Sequence, residues 1–418
     1  MSKLTKYKFS DLYEMSSGIS SSKQQAGHGS PFISFSTVFN NYFLPEELPD
    51  LMDTSLKEQE IFSVKKDDVF ITRTSETVDA LAMSCVAVKD YPKATFSGFV
   101  KRLRPKTTGI VYSKYIAFFL RSKYFRKVLD CNTIMTLRAS FNEDMFSFLY
   151  LYLPDYEEQV RIGDLLYKME MKIRTNNKIN DNLEQQAKLI YDYWFTQFDF
   201  PDENGKPYCS SGGKMVWNEQ LKRNIPENWK VAQLKDIFSV SGKPISRDDC
   251  QTDAYYTPID VIPKRTITFA GGLSAAEANS SLQLYEENNI LLGAMRVYFH
   301  RVCISAQSGI TRTTTLVLKP KADEYLGYAY QVLNDDNAIL YATQHSSGTQ
   351  QPYIKWNDVL ENYRFAMPSN PKLLYEYSKI SEPLITKAKN CARETEQLRK
   401  LRDWLLPMLM NGQATISD

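Results

Sequence analysis

The chain has 418 residues, 43% hydrophobic and 24% charged, enough apolar material for about two or three domains and too much for a disordered chain. Lys+Arg (51) against Asp+Glu (49) leaves +2, so net charge alone does not point to a polyanion. Six cysteines (Cys85, Cys131, Cys209, Cys250, Cys303, Cys391) lie 46, 78, 41, 53 and 88 residues apart, and the three histidines (His28, His300, His345) are dispersed. That excludes zinc fingers and CxxC redox motifs and predicts reduced thiols and a cytoplasmic location. The start, MSKLTKYKFSDLYEM, has no apolar h-region, and no 18-residue apolar run follows, so neither secretion nor membrane insertion is expected.

In chain order, the first predicted domain spans 1–155. It holds short β-type runs (DDVFIT, SCVAVKDY, FLYLYLP) broken by Gly, Pro, Ser and Asn, with a helical pattern in YIAFFLRSKYFRKVL. Residues 156–200 read as one long helix. Ile162, Leu166, Met169, Ile173, Asn176, Asn180, Leu183, Ala187, Ile190 and Trp194 are spaced 4-3-4-3-4-3-4-3-4, a heptad seam with a polar middle. Residues 201–225 carry DENG, GKP and SSGG, which is turn and linker chemistry. A second α+β domain is predicted over 226–370, with NILLGA and TTTLVLKP as strands. Residues 371–418 close on a second seam of Leu384, Ala388, Cys391, Thr395, Leu398, Arg402, Leu405 and Leu409. Two surface helices, each packed on its own domain, would also account for the seams. Their equal length and matched position favour mutual pairing.

The chain is duplicated. SGFVKRLRPK aligns with TRTTTLVLKPK, setting Pro105 against Pro320, an offset of 215; Pro154 and Pro368 are 214 apart, and Leu183 and Leu398 are 215 apart. Upstream, Gly18 and Gly242 differ by 224, and KKDDVFIT pairs with ENNILLGA near 221. A nearly constant shift marks a repeated unit of about 200 residues and an internal pseudo-twofold.

Charge is local rather than global. From Tyr91 to Leu129 there are ten Lys/Arg and no acidic residue, and Ile290 to Ala322 is again free of acidic residues. Blocks in register within a duplicated chain suggest phosphate contacts, and a solvated basic face is the alternative. The candidate DNA-binding residues are Lys93, Lys101, Arg102, Arg104, Lys106 and Arg138 in the first unit. In the second they are Arg296, Arg301, Arg312 and Gln350, with the loops GITRTTT and TQHSSGTQQ suited to base edges.

Catalytic equipment is not found. There is no GxxxxGK[ST] and no GxGxxG after a strand. The methyltransferase loop Asn/Asp-Pro-Pro-Tyr/Phe and a spaced PD…(D/E)xK pattern are also absent. Pro154-Asp155 and Pro201-Asp202 read as turn chemistry. No catalytic residue and no metal site is assigned.

Three stretches resemble a known family. LPDYEEQVRIGDLLYKMEMKIRTNNKINDNLEQQAKLIYDYWFTQFDFPDENGKPY is similar to the central conserved region of the specificity subunits of type I restriction–modification enzymes. SGGKMVWNEQLKRNIPENWKVAQLKDIF resembles their junction into the second recognition domain, and LRKLRDWLLPMLMNGQATI their C-terminal conserved end. Departures are Asp67 at the glycine position of Lys-x-Gly-Asp, and MPSNPKLLYEY where Pro-x-x-x-Glu-Gln would recur.

The resemblance implies two tandem target-recognition domains separated by long helices that pair as an antiparallel coiled coil. The seam residues would be Ile162, Leu166, Met169, Ile173, Leu183, Ile190, Leu384, Leu398, Leu405 and Leu409. It further implies a non-catalytic subunit that reads a bipartite, asymmetric duplex DNA target. Two methyltransferase subunits, which bring S-adenosylmethionine, and motor/nuclease restriction subunits would be its partners; the chain itself would hold no cofactor. A stand-alone DNA-modifying enzyme and a coiled-coil adaptor that does not bind DNA are the alternatives.

Overall fold

The computed structural model describes residues 4–20, 22–75, 81–132, 139–278 and 281–416. Contacts divide the chain into two units, Met1–Met171 with Arg399–Asp418, and Lys172–Leu398. Two long helices, Tyr156–Tyr191 and Pro371–Met410, contribute to both.

In the first unit the run VFIT (Val69–Thr72) is buried at every residue. It therefore sits inside a sheet, ordered Tyr13–Ser17, Val100–Pro105, Val69–Thr72, Ser84–Val86, with antiparallel neighbours. Tyr150–Leu153 alternates instead, Tyr150 and Tyr152 outward and Leu151 and Leu153 inward, and pairs antiparallel with Thr5–Lys8. Phe9, Tyr13, Phe43, Tyr115, Phe118, Phe119 and Phe125 fill the core, joined by Ile162, Leu166, Leu409 and Met410 from the long helices. Each such side chain contributes roughly 1.5–3 kcal/mol by leaving water.

The second unit repeats the plan. Its sheet runs Phe238–Val240, Thr315–Pro320, Ile290–Gly293, Val302–Ser305, Thr268–Phe269, and Trp229–Gln233 pairs with Arg364–Pro368 as Thr5–Lys8 pairs with Tyr150–Leu153. Tyr13 faces Pro105 in one unit and Phe238 faces Pro320 in the other, so the Pro105–Pro320 alignment is a structural equivalence. Between the units' main sheets, 201–225 is not featureless: Met215–Asn218 forms a hairpin with Arg223–Pro226.

Local chemistry explains several motifs. Asp155 caps the first long helix, its Oδ1 accepting from the Glu158 N–H at 2.8 Å, and Asn370, 215 residues on, accepts from the Lys372 N–H at 2.9 Å just before Pro371. Gln159 of the Glu-Gln signature is 1% exposed. It donates to the carbonyls of Ile110 and Pro154 and accepts from the Tyr112 N–H, which staples the helix to the first unit. Asp202 Oδ1 accepts from the Asn204 and Lys206 N–H groups, both at 2.8 Å, an Asx turn. Asp67, at the family's glycine position, has φ +70°, and its repeat-mate Asn288 has φ +66°. A left-handed residue is required there, and Asp or Asn tolerates it better than most.

The 4-3 seam is the inward face of both helices. Ile162, Leu166, Ile173, Ala187, Trp194, Ala388, Cys391 and Leu409 are buried, while Met169, Leu183, Ile190, Leu384, Leu398 and Leu405 are half-buried. Within the first unit Arg402 Nη1 donates to Glu170 Oε2 at 3.0 Å. Within the second, Asn176 Nδ2 donates to Glu394 Oε2 at 2.8 Å, with Lys172 Nζ 3.3 Å from the same oxygen.

One carboxyl in the second unit is largely removed from water. Glu184 Oε2 accepts from the Ile267 N–H (3.1 Å) and Oε1 from the Tyr330 hydroxyl (3.3 Å). Burial pushes its pKa up to about 7, against the lowering effect of those two donors. Folded protein therefore holds the proton in a window from the ordinary glutamate value to about pH 7 where unfolded chain does not, so stability falls as pH rises through that window. Replacing Glu184 by Gln should flatten this slope and stabilise the protein above pH 7 by on the order of 1–2 kcal/mol, after allowance for partial exposure. Urea unfolding at pH 5 and pH 8 checks it; equal slopes for both proteins would contradict the assignment.

Candidate nucleic-acid interface

The first basic block lies on strand Val100–Pro105 and the helices after it. Lys101 is buried, donates to Ser17 Oγ at 2.8 Å and lies 3.8 Å from Glu143; burial lowers its pKa. Arg102 and Arg104, two apart on the strand, both donate to the Ser63 carbonyl, at 2.6 and 3.0 Å. Arg104 also makes a bidentate pair with Asp68, both bonds 2.7 Å, and the Asp68 side chain is fully buried. That pair raises the Arg104 pKa, whereas burial and then the neighbouring Arg104 lower that of Arg102.

Three more cations of the block are similarly occupied. Arg121 donates to the carbonyls of Ser84, Val38, Phe39 and Asn41, Arg126 to those of Leu81, Ala82 and Leu120, and Lys114 pairs with Asp164 at 2.8 Å. Lys93, at φ +62°, and Lys106 are exposed, the latter donating to the Ser10 carbonyl at 2.8 Å. Arg138 lies outside the described residues.

In the second unit the structure gathers several candidates. Arg296 is exposed at φ +50°. Its N–H donates to the Pro352 carbonyl at 2.7 Å, and its Nη2 to the Gln350 carbonyl at 3.3 Å. The neighbouring Ala294 N–H donates to the Thr314 carbonyl, and Ile354 N–H to that of Ala294, both at 3.0 Å. Three loops, 294–301, 312–314 and 346–353, thus meet, and Arg296, Arg312 and Gln350 are exposed on them. Arg301 stands apart, donating to the carbonyls of Asp260 and Ile262. The matching place in the first unit is the pairing of Thr74–Ser75 with Ala139–Ser140, as Met295 bridges Tyr353 in the second.

Sequence reasoning did not single out Tyr298 and Phe299 on this tip, 50% and 38% exposed; an aromatic pair following an arginine inside an acid-free stretch was the available signal. Among the described residues no group of three or more His, Cys, Asp or Glu could hold a metal ion, none of the six cysteines is in a disulfide, and no helix is long and apolar enough to cross a membrane.

Comparison with known proteins matches this geometry. Residues 1–185 match the family described as type I restriction modification DNA specificity domain. The whole duplicated plan also recurs: a crystal structure of a type I restriction–modification S subunit from M. genitalium superposes with a TM-score of 0.60, covering 98% of this chain and 96% of that one at 14% identity. The first part of the chain thus resembles the type I DNA specificity domain, and the whole chain shares the fold of that S subunit. The MjaIX specificity subunit of Methanocaldococcus jannaschii is 24% identical over 351 residues, 80% of this chain and 76% of that protein. The HindI specificity subunit of Haemophilus influenzae is 21% identical over 440 aligned positions, covering 91% of this chain and 94% of that one. Specificity subunits thus align with both units.

Proposed function

We propose that this chain is a specificity subunit, the DNA-reading, non-catalytic component of a cytoplasmic type I restriction–modification complex. Each unit reads one half of a bipartite, asymmetric duplex target, and the paired long helices, acting as an antiparallel coiled coil, set the gap between halves. Two methyltransferase subunits, carrying S-adenosylmethionine, dock on the subunit and modify adenine; motor/nuclease subunits cleave.

The observation that carries this reading is the contrast between a shared scaffold and unshared tips. Four strands of the main sheet keep the same order in both units, yet the tip that holds Arg296, Arg312 and Gln350 in the second has a different sequence in the first. Arg and Gln side chains suit base-edge hydrogen bonds in the major groove. In the first unit Lys93 and Lys106 are the exposed candidates for phosphate contact, and Lys101, Arg102 and Arg104 support the strand that presents the block.

Replacing Arg296 and Arg312 together by alanine should weaken binding of target duplex and flatten the dependence of log affinity on log salt by about one unit per lost phosphate contact. If either arginine reads a base, discrimination at one position of one half-site should also relax by roughly 1–3 kcal/mol. An unchanged affinity, slope and sequence preference would mean that this tip does not touch DNA.

A further inference from the structure

The turn after strand Ile290–Gly293 is built unlike an ordinary surface loop. Arg296 and His300 bracket it, both in the left-handed region at φ +50° and +54°, a backbone cost that persists only where surroundings enforce it. Hydrogen bonds do so: Phe299 N–H to the Arg296 carbonyl, His300 N–H to that of Val297, and Arg265 N–H to that of His300, at 2.9, 2.9 and 3.1 Å. Val297 and His300 point inward, 1% and 3% exposed, and His300 Nε2 lies 2.8 Å from Asn334 Oδ1. The anchored turn leaves two rings outside. Tyr298 and Phe299 lie with centroids 4.9 Å apart, and Lys264 Nζ sits 4.5 Å from the Phe299 centroid.

Burying one of these rings against the domain would have been worth roughly 1.5–3 kcal/mol, so a rigid turn that holds both in water favours a partner surface. The surrounding charge selects that surface. Arg296 and Lys264 flank the rings, and no acidic residue occurs from Ile290 to Ala322. At the corresponding place in the sequence, 221 residues earlier, the first unit reads Thr74-Ser75-Glu76-Thr77-Val78-Asp79-Ala80, with two carboxylates and no ring. The aromatic pair is thus a difference placed on a common scaffold.

We propose that Tyr298 and Phe299 form an aromatic wedge that packs into a base step of the half-site read by the second unit, partly unstacking it while Arg296 holds the adjoining backbone or base edge. This rests on the DNA-reading function above. Apolar and aromatic wedges kink duplexes at the steps that unstack most easily, the pyrimidine–purine steps, so the wedge adds sequence preference without a hydrogen bond to a base.

The test uses the full chain assembled with the methyltransferase subunits proposed as its partners and target duplexes carrying 2-aminopurine at each second-half-site position in turn, excluding the methylated adenine. Wild-type complex should raise fluorescence at one step. The Tyr298→Ala/Phe299→Ala variant should lose that rise and bind about tenfold more weakly, whereas Tyr298→Trp should keep the rise. Thermal unfolding of each variant alongside wild type separates wedge loss from misfolding, and Tyr298→Ser alone, at a half-exposed position, provides a milder second variant. A footprint on the target with no fluorescence rise anywhere, or an equal rise in the double variant, would overturn the wedge and leave DNA reading intact. Absence of any sequence-specific footprint would overturn both.

Discussion

Replacing Arg104 by alanine should lower the unfolding free energy by about 3–5 kcal/mol. Asp68 is fully buried, and both its carboxylate oxygens are taken by Arg104 at 2.7 Å. Removing the guanidinium leaves a buried charge that keeps the Lys65 N–H at 2.7 Å in support. Lys106→Ala, two residues on, removes an exposed side chain from one carbonyl and should stay within about 0.5 kcal/mol of wild type. The double change Asp68→Ala/Arg104→Ala should recover part of the loss, because it removes both charges rather than stranding one. Urea unfolding of the four proteins measures this. If Arg104→Ala unfolds at the wild-type denaturant midpoint, the pair carries no structural weight and the arginine is available to DNA.

Lengthening both long helices by seven residues, after Asn180 and after Thr395, should move the two half-sites apart without changing either. One heptad keeps the 4-3 phase that is the inward face in both helices. It adds ~10 Å of helix at about 1.5 Å per residue, close to three base pairs of duplex rise. A four-residue insertion breaks the phase, exposing the apolar seam and rotating whatever follows, and should abolish assembly or folding. Sequencing of methylated DNA from cells carrying each variant reads the spacer directly. Heptad-extended protein that assembles and directs methylation at the original spacing would show that the helices do not set the gap.

How much of this was legible in the sequence differs by kind of interaction. The duplication was, because Pro105 and Pro320 keep equivalent places at the ends of equivalent strands. Both helices were as well, because the seam is periodic and their caps, Asp155 and Asn370, are local. Asp67 at a glycine position was visible as an oddity, and its φ of +70° supplies the reason. The basic block could not be resolved from composition. Whether an arginine faces solvent or caps carbonyls depends on partners far away in sequence: Arg121 reaches Val38, Phe39 and Asn41, and Arg104 reaches Asp68 and Ser63. Local charge density is the same in both cases. Likewise the meeting of loops 294–301, 312–314 and 346–353 arises from backbone hydrogen bonds across some 20 to 60 residues, which no spacing rule encodes. Tyr298 and Phe299 follow the same logic, since ring exposure is decided by the left-handed residues on either side.

The claim on which the rest depends is that this chain alone decides where the complex acts. Co-expressing it with the methyltransferase subunits proposed as its partners in a host lacking such systems, then mapping methylated adenines across the genome, tests that claim directly. The account predicts methylation confined to one motif with two short defined blocks of unequal sequence and a fixed unspecified spacer, lost when this chain is omitted. With Arg296 and Arg312 replaced by alanine, only one block should relax. Methylation at a contiguous motif, or at the same sites without this chain, would contradict it.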